Sequence, residues 1–216
     1  MSQTATNTAA HAMLQAAHDR AYRYPENFAG FQAALRYRTD EESLEGTITI
    51  HSPDTIRLEL GGREGEMQAL QREIASLCAH RWYAPYSAGD GRYTLSLDEN
   101  AEHPLGQLIL FGDDPFNSSY RIQDGSVVQI NRQMGTTRFT IHIQEHTHIE
   151  ENKTLPRQFT VAYWDTNQKR LTRTTSYTDH YTPVEGYYLP ASRRMIIYDD
   201  KGVSTHVIEF SAHKLA

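Results

Sequence analysis

The sequence predicts an α+β fold: a curved antiparallel sheet, or half-barrel, of about ten strands with two helices in the N-terminal half. Three patterns predict it. Short segments alternate apolar and polar residues along most of the chain, as at Phe31, Ala33, Leu35 and Tyr37, and again at Phe139, Ile141 and Ile143. A period of two puts alternate side chains on opposite faces of a sheet. Only two stretches carry a helical period, and turn residues punctuate the rest at hairpin spacing.

The elements follow in order. Residues 1–7 read as a disordered tail. Asn7 or Thr8 caps a helix running to about Tyr22, with Met13, Leu14, Ala17 and Ala21 on one stripe and Pro25 beyond its end. Its apolar face is rich in alanine, so it lies close against its neighbour. A first strand covers about Phe28–Thr39, Glu45-Gly46 opens the second, and Ser52-Pro53-Asp54 turns the chain into the third. The second helix spans about Arg63–His80, with Met67, Leu70, Ile74, Leu77 and Cys78 on one stripe. That stripe is expected to plug the concave face of the sheet. The remainder reads as β, broken at Asp90-Gly91, Asp113-Asp114-Pro115, Asp124-Gly125, Gly135 and Asp200-Lys201-Gly202.

No repeat, low-complexity tract or linker divides the chain, so residues 8–216 read as one β-rich domain. A chain of 216 residues can bury a core without disulfides, and the single cysteine, Cys78, suits a reducing compartment. A formal charge of −6 with no Lys/Arg run argues against a nucleic-acid partner. No apolar run approaches the roughly 18 residues of a membrane span. The opening MSQTATNTAAHAM lacks the basic and apolar regions of a secretory signal, so a cytoplasmic location is expected.

Two passages, AHDRAYRYPENFAGFQAALRYRTDEESLEGTITIHSPDTIRLEL and YTPVEGYYLPASRRMIIYDDKGVSTHVIEFSAHKL, resemble an uncharacterised cyanobacterial and plastid family, a domain of unknown function. The order of helix, G-x-I-x-I strand, P-x-x-I-R-L-E strand and a late turn at Gly186, Leu189 and Pro190 is similar to the LolA-like lipoprotein-carrier pattern. The resemblance implies an open antiparallel half-barrel whose concave apolar face is covered by helices. It further implies a binding or assembly-factor role, associated with photosynthesis. Lipoprotein transport itself is not carried over, because those carriers are exported.

The candidate residues for chemistry are few. His142, His146 and His148 share parity on one strand, but spread over roughly 20 Å they are too far apart for one metal ion unless the segment turns. His146 and His148 alone form a two-histidine metal candidate, otherwise a solvated polar face. Asp179-His180 and His142 are the acid–base candidates of an enzyme reading, but no G-x-S-x-G elbow supplies a nucleophile. Cys78, on an apolar stripe, reads as a small buried hydrophobe. Leu60-Gly61-Gly62-Arg63-Glu64-Gly65 lacks phosphate-loop spacing and reads as a strand-to-helix turn. Arg193-Arg194 reads as a charged strand edge or a single anionic contact. The 13 tyrosines carry more weight, since an apolar ring with a polar tip suits a pocket or interface. Trp82, Tyr83, Trp164, Tyr177, Tyr187 and Tyr188 are the ligand-binding candidates, set against ordinary cross-strand packing. The leading expectation is a non-enzymatic protein holding an apolar small molecule or a partner segment, with no cofactor. An enzyme acting on a lipid-like or pigment-like substrate and a pure protein-interaction module are the alternatives.

Overall fold

The computed structural model describes residues 3–99 and 102–216. Its strands are β1 (Phe31–Arg38), β2 (Ser43–Ser52), β3 (Thr55–Leu60), β4 (Leu95–Leu97), β5 (Gln107–Phe111), β6 (Ser119–Gln123), β7 (Ser126–Met134), β8 (Thr137–His148), β9 (Thr154–Asp165), β10 (Arg170–Val184), β11 (Tyr187–Asp199) and β12 (Gly202–Leu215). They hydrogen-bond in one sheet in the order β3-β2-β1-β12-β11-β10-β9-β8-β7-β6-β5-β4, which ends on β3 and β4 without closing. The count is twelve rather than about ten. Strands as short as β4–β6 hold too few positions for an alternation to declare itself.

The helices are α1 (Gln3–Arg20) and α2 (Glu64–Ala79). Helix α1 begins earlier than its expected cap, so residues 3–7 of the expected tail are helical and residues 1 and 2 lie outside the described residues. It stops at Arg20 because the chain turns extended. Ala21 bridges Thr154, and the Tyr22 N–H donates to the Thr154 carbonyl at 2.9 Å. Helix α2 lies where its period put it, flanked by Arg63 and His80. Leu70, Ile74, Leu77 and Cys78 are its buried residues, while Met67 is only partly buried.

The one domain expected from the sequence gathers its contacts into two compact units. The first takes the chain up to Tyr22, Pro85–Tyr177 and Ile197–Val203. Its core sets Ala10, Leu14 and Ala17 of α1 on Leu95, Ile109, Phe111, Tyr120 and Ile122. The small alanines let the helix approach the sheet closely. The β6–β7 hairpin turns at Asp124 and Gly125, both with positive φ (50° and 71°), the twist that a two-residue hairpin turn demands.

The second unit takes Arg23–Ala84, Thr178–Ile196 and Ser204–Ala216. Here β1 alternates cleanly, with Phe31, Ala33, Leu35 and Tyr37 buried. Leu35 pairs with Phe210 and Tyr37 with Ile208 on β12, while Ile48 of β2 faces Ala33. The buried stripe of α2 and the buried rows of these strands form the unit's apolar interior.

Candidate functional site

In the first unit the register builds a continuous cross-strand row. Leu97 faces Ile109, Ile109 faces Tyr120, Tyr120 faces Ile130, Ile130 faces Ile141 and Ile141 faces Val161. Directly opposed residues share a face of the sheet. Burial along the row is uneven. Ile109 and Tyr120, covered by α1, are 0% and 4% exposed, and Val161 at the far side is 6% exposed. Between them Ile130 and Ile141 are only partly buried. The flanking pairs on the same face, Phe139–Tyr163 and Ile143–Phe159, are partly exposed as well. The apolar face therefore has a gap in its cover over β7–β9.

Aromatic rings border this gap. Phe159 stacks on the buried Tyr177 with centroids 4.5 Å apart and planes 7° off parallel. Phe139 and Tyr163 lie 6.0 Å apart, and the Arg173 guanidinium sits 4.2 Å over the Tyr163 ring. Apolar and aromatic groups with one cation at the margin can hold a hydrophobic body by contact area.

The second unit contains a different cluster, polar and almost fully buried. Arg193, 4% exposed, donates to both carboxylate oxygens of Asp179, from Nε at 2.8 Å and from Nη2 at 2.7 Å. Arg193 also reaches the Glu73 carboxylate of α2 at 3.6 Å. Arg81 donates to Tyr181 Oη at 2.6 Å, and that hydroxyl donates to Asp179 Oδ2 at 3.4 Å. Burial works to lower the Arg193 pKa, but the charge and hydrogen bonds of Asp179 outweigh it and hold the group well above its ordinary value. The Tyr181 phenol is raised, chiefly by burial. Burial also pushes the Cys78 thiol up to about 12, against the pull of Arg193 and Arg81. A thiol in that state is inert as a nucleophile. Of the two readings of Arg193-Arg194, the strand edge is overturned, because β11 is an interior strand, and the anionic contact is the one that Arg193 makes with Asp179. Arg194 beside it is exposed and donates to Thr178 Oγ1 at 3.3 Å.

The predicted site residues fall in several places. His142 faces Gln129 and Thr160 across its neighbours, on the opposite face from Ile141. His180 is exposed, whereas Asp179 beside it is buried with both oxygens engaged by Arg193. Asp179 and His180 thus lie on opposite faces of β10. His146 and His148 face Pro156 and Thr154 past two irregularities in the β8–β9 register. Among the described residues no three His, Cys, Asp or Glu side chains gather as a metal site.

Of the aromatic candidates, Trp82 and Tyr187 join one cluster of the second unit. Trp82 meets Tyr24 and Phe28 with centroids 5.3 Å away, and Tyr187 meets Phe28 at 4.9 Å. Tyr188 offers its carbonyl to the Tyr24 hydroxyl at 3.4 Å, and Tyr83 is exposed. In the first unit Tyr177 backs Phe159 at the gap, and Trp164 is exposed opposite Arg138. Only Tyr177 therefore belongs to the β7–β9 site. Ile130, Ile141 and Ile143 were missed as site residues. The alternation of Ile141 and Ile143 marks them as core; Ile130 packs against the core beneath α1, and the cover thins beyond it.

The family described as "Protein of unknown function (DUF3386)" matches residues 5–216. No curated protein matches the sequence. Among solved structures the chain is similar to a LolA superfamily protein from Nitrosomonas europaea, at 14% identity over 96% of this chain and 93% of that one, with a TM-score of 0.38. It is also similar to a domain described as an outer membrane lipoprotein-sorting protein from Vibrio parahaemolyticus, at 11% identity over 97% and 93% of the two chains, with a TM-score of 0.35.

Proposed function

We propose, from the premise that this chain belongs to the DUF3386 family of proteins of unknown function, that it is a binding protein holding an apolar ligand on the uncovered face of β7–β9. One observation carries the reading. Along a single cross-strand row the apolar side chains are buried at both sides and left partly exposed at Ile130 and Ile141. Leaving aliphatic groups wet forgoes about 25 cal/mol for every Å² that an apolar cover would remove from water. An apolar molecule laid over the row regains that energy. The flanking rings of Phe139, Phe159 and Tyr163 extend the same surface.

The placement of the acid–base candidates favours binding over catalysis. His142 is on the other face and Asp179 is engaged by Arg193, so neither is presented to a molecule resting on Ile141.

The test is a titration of the purified chain with the dye 1-anilinonaphthalene-8-sulfonate, paired with native mass spectrometry for co-purified small molecules. Ile141→Asn wets the row, Ile141→Trp fills it, and Thr140→Asn changes the neighbouring position on the opposite face. Both Ile141 variants are expected to weaken dye binding, with Thr140→Asn unchanged. Saturable binding that ignores position 141, or an absence of binding, sinks the reading.

A further inference from the structure

We infer that the hairpin tips at one end of the first unit form a docking rim for an anionic lipid surface. The turns joining β7 to β8, β9 to β10 and β11 to β12 lie at the same end of the strands. Successive hairpin turns alternate ends, and the pairing of Thr137 with Asp165 fixes two of them side by side. All three tips belong to the first unit.

Exposed apolar side chains concentrate there. Met134 is 57% exposed, Trp164 37%, Leu171 44%, Tyr198 47% and Val203 63%. Each lies within two residues of a strand end at these turns. Among the described residues Tyr83 is the comparable large hydrophobic away from this end, since Leu110 lies beside the β5–β6 turn at the same end of the strands. Exposed apolar groups scattered singly need no explanation, but a concentration on adjacent tips marks an interaction surface.

The charges at the tips identify the partner. Arg138, Lys169, Arg170, Arg173 and Lys201 stand among these apolar groups, in a chain whose formal charge is −6. None of the five is ion-paired among the described residues. The carboxylates at this end are Asp165, Asp199 and Asp200, joined by Asp113 and Asp114 on the adjacent β5–β6 turn. The Phe116 carbonyl of that turn accepts from the Gln133 N–H, and its two acids accept hydrogen bonds from Thr94, Phe116 and Ser118. Asp165 and Asp199 serve their own turns, with Asp165 accepting from the Asn167 and Gln168 amides and Asp199 from the Lys201 amide. Trp and Tyr beside Lys and Arg that lack a carboxylate partner match a headgroup layer, where amphipathic rings sit at the boundary and cations meet acidic lipid. A surface of this kind binds by partial insertion of apolar groups plus electrostatic attraction that salt screens. The inference goes beyond ligand binding on β7–β9 and is measured without any ligand.

The test is flotation of the full chain with vesicles of phosphatidylcholine, with and without phosphatidylglycerol. The wild-type chain is expected to float with the anionic vesicles at low salt and to be released at high salt. Lys169→Glu/Arg170→Glu is expected to lower the bound fraction about ten-fold. Trp164→Ser/Tyr198→Ser is expected to reduce binding and to abolish a blue shift of tryptophan emission on vesicle addition, whereas Tyr83→Ser leaves both intact. Circular dichroism confirms that each variant folds. A chain that stays soluble with both vesicle types at low salt overturns the inference, as does equal loss of binding in Tyr83→Ser.

Discussion

Arg193 of β11 and Asp179 of β10 meet as a bidentate ion pair, both buried, with two parallel hydrogen bonds of 2.8 and 2.7 Å. Two charges taken out of water are costly to bury, and excellent geometry with further hydrogen bonds offsets that cost. Here the Glu73 carboxylate and the Tyr181 hydroxyl supply the additional partners. Removing one member alone strands the other. Asp179→Ala is therefore expected to destabilise the chain by about 3–5 kcal/mol in urea denaturation, and Asp179→Leu/Arg193→Met to recover much of that loss. A single variant costing under about 1 kcal/mol would show that water reaches the pair.

Gly30 supports a second prediction. Its φ is +105°, and a Cβ added there would lie 1.9 Å from the carbonyl oxygen of Ile50. That oxygen belongs to the backbone of β2, directly across from Phe31, so relief requires moving a strand. Gly135 has φ +58° but nothing within 4 Å. Gly135→Ala should cost about 1–2 kcal/mol, the left-handed penalty alone. Gly30→Ala should cost clearly more, read as a larger fall in the urea midpoint. Equal effects would mean that the overlap is relieved without loss.

Much of the fold was legible because its signals are local. The stripe of α2 and the alternation of β1 each repeat within a few residues, and both appear where their periods place them. The Asp179–Arg193 pair is not local. It depends on how β10 registers against β11, which no short window reveals. A hint existed in parity, since Asp179 continues the buried alternation of Thr175 and Tyr177, and Arg193 alternates with Met195. The face proposed to bind was legible only in part. Phe139, Ile141 and Ile143 alternate as any core strand does, and how far α1 reaches over them is a tertiary property. Tyrosine abundance did not point to one place, because the aromatic residues divide among a buried cluster, a stack and exposed tips.

The cover provided by α2 rests on a few side chains. Ile74 is 0% exposed, whereas Met67 near the start of the same helix is only partly buried. Ile74→Ala removes fully packed atoms and leaves a cavity, so a loss of about 2–5 kcal/mol is expected. Met67→Ala should fall below that range, because a flexible side chain already in contact with water gives up less. Denaturation midpoints of the two variants test the order, and a reversal would show that Met67 anchors the helix.

Alkaline pH should weaken the folded chain through Cys78 and Tyr37. Burial pushes the Cys78 thiol from 9.0 to about 12. Burial, with the carboxylates of Glu66, Glu42 and Glu73, pushes the Tyr37 phenol from 10.0 to about 12. In both, folding favours the protonated form, so the unfolded chain gives up these protons first. Their contribution to stability is complete below about pH 9 and is lost as the pH climbs toward about 12. Each unit of separation is worth about 1.4 kcal/mol. Urea midpoints should fall from about pH 9 upward, and Cys78→Ala should make the fall shallower. At neutral pH the native thiol should resist a disulfide reagent until the chain is unfolded. Rapid labelling of the native chain, or a midpoint flat across the alkaline range, would show that Cys78 is open to solvent.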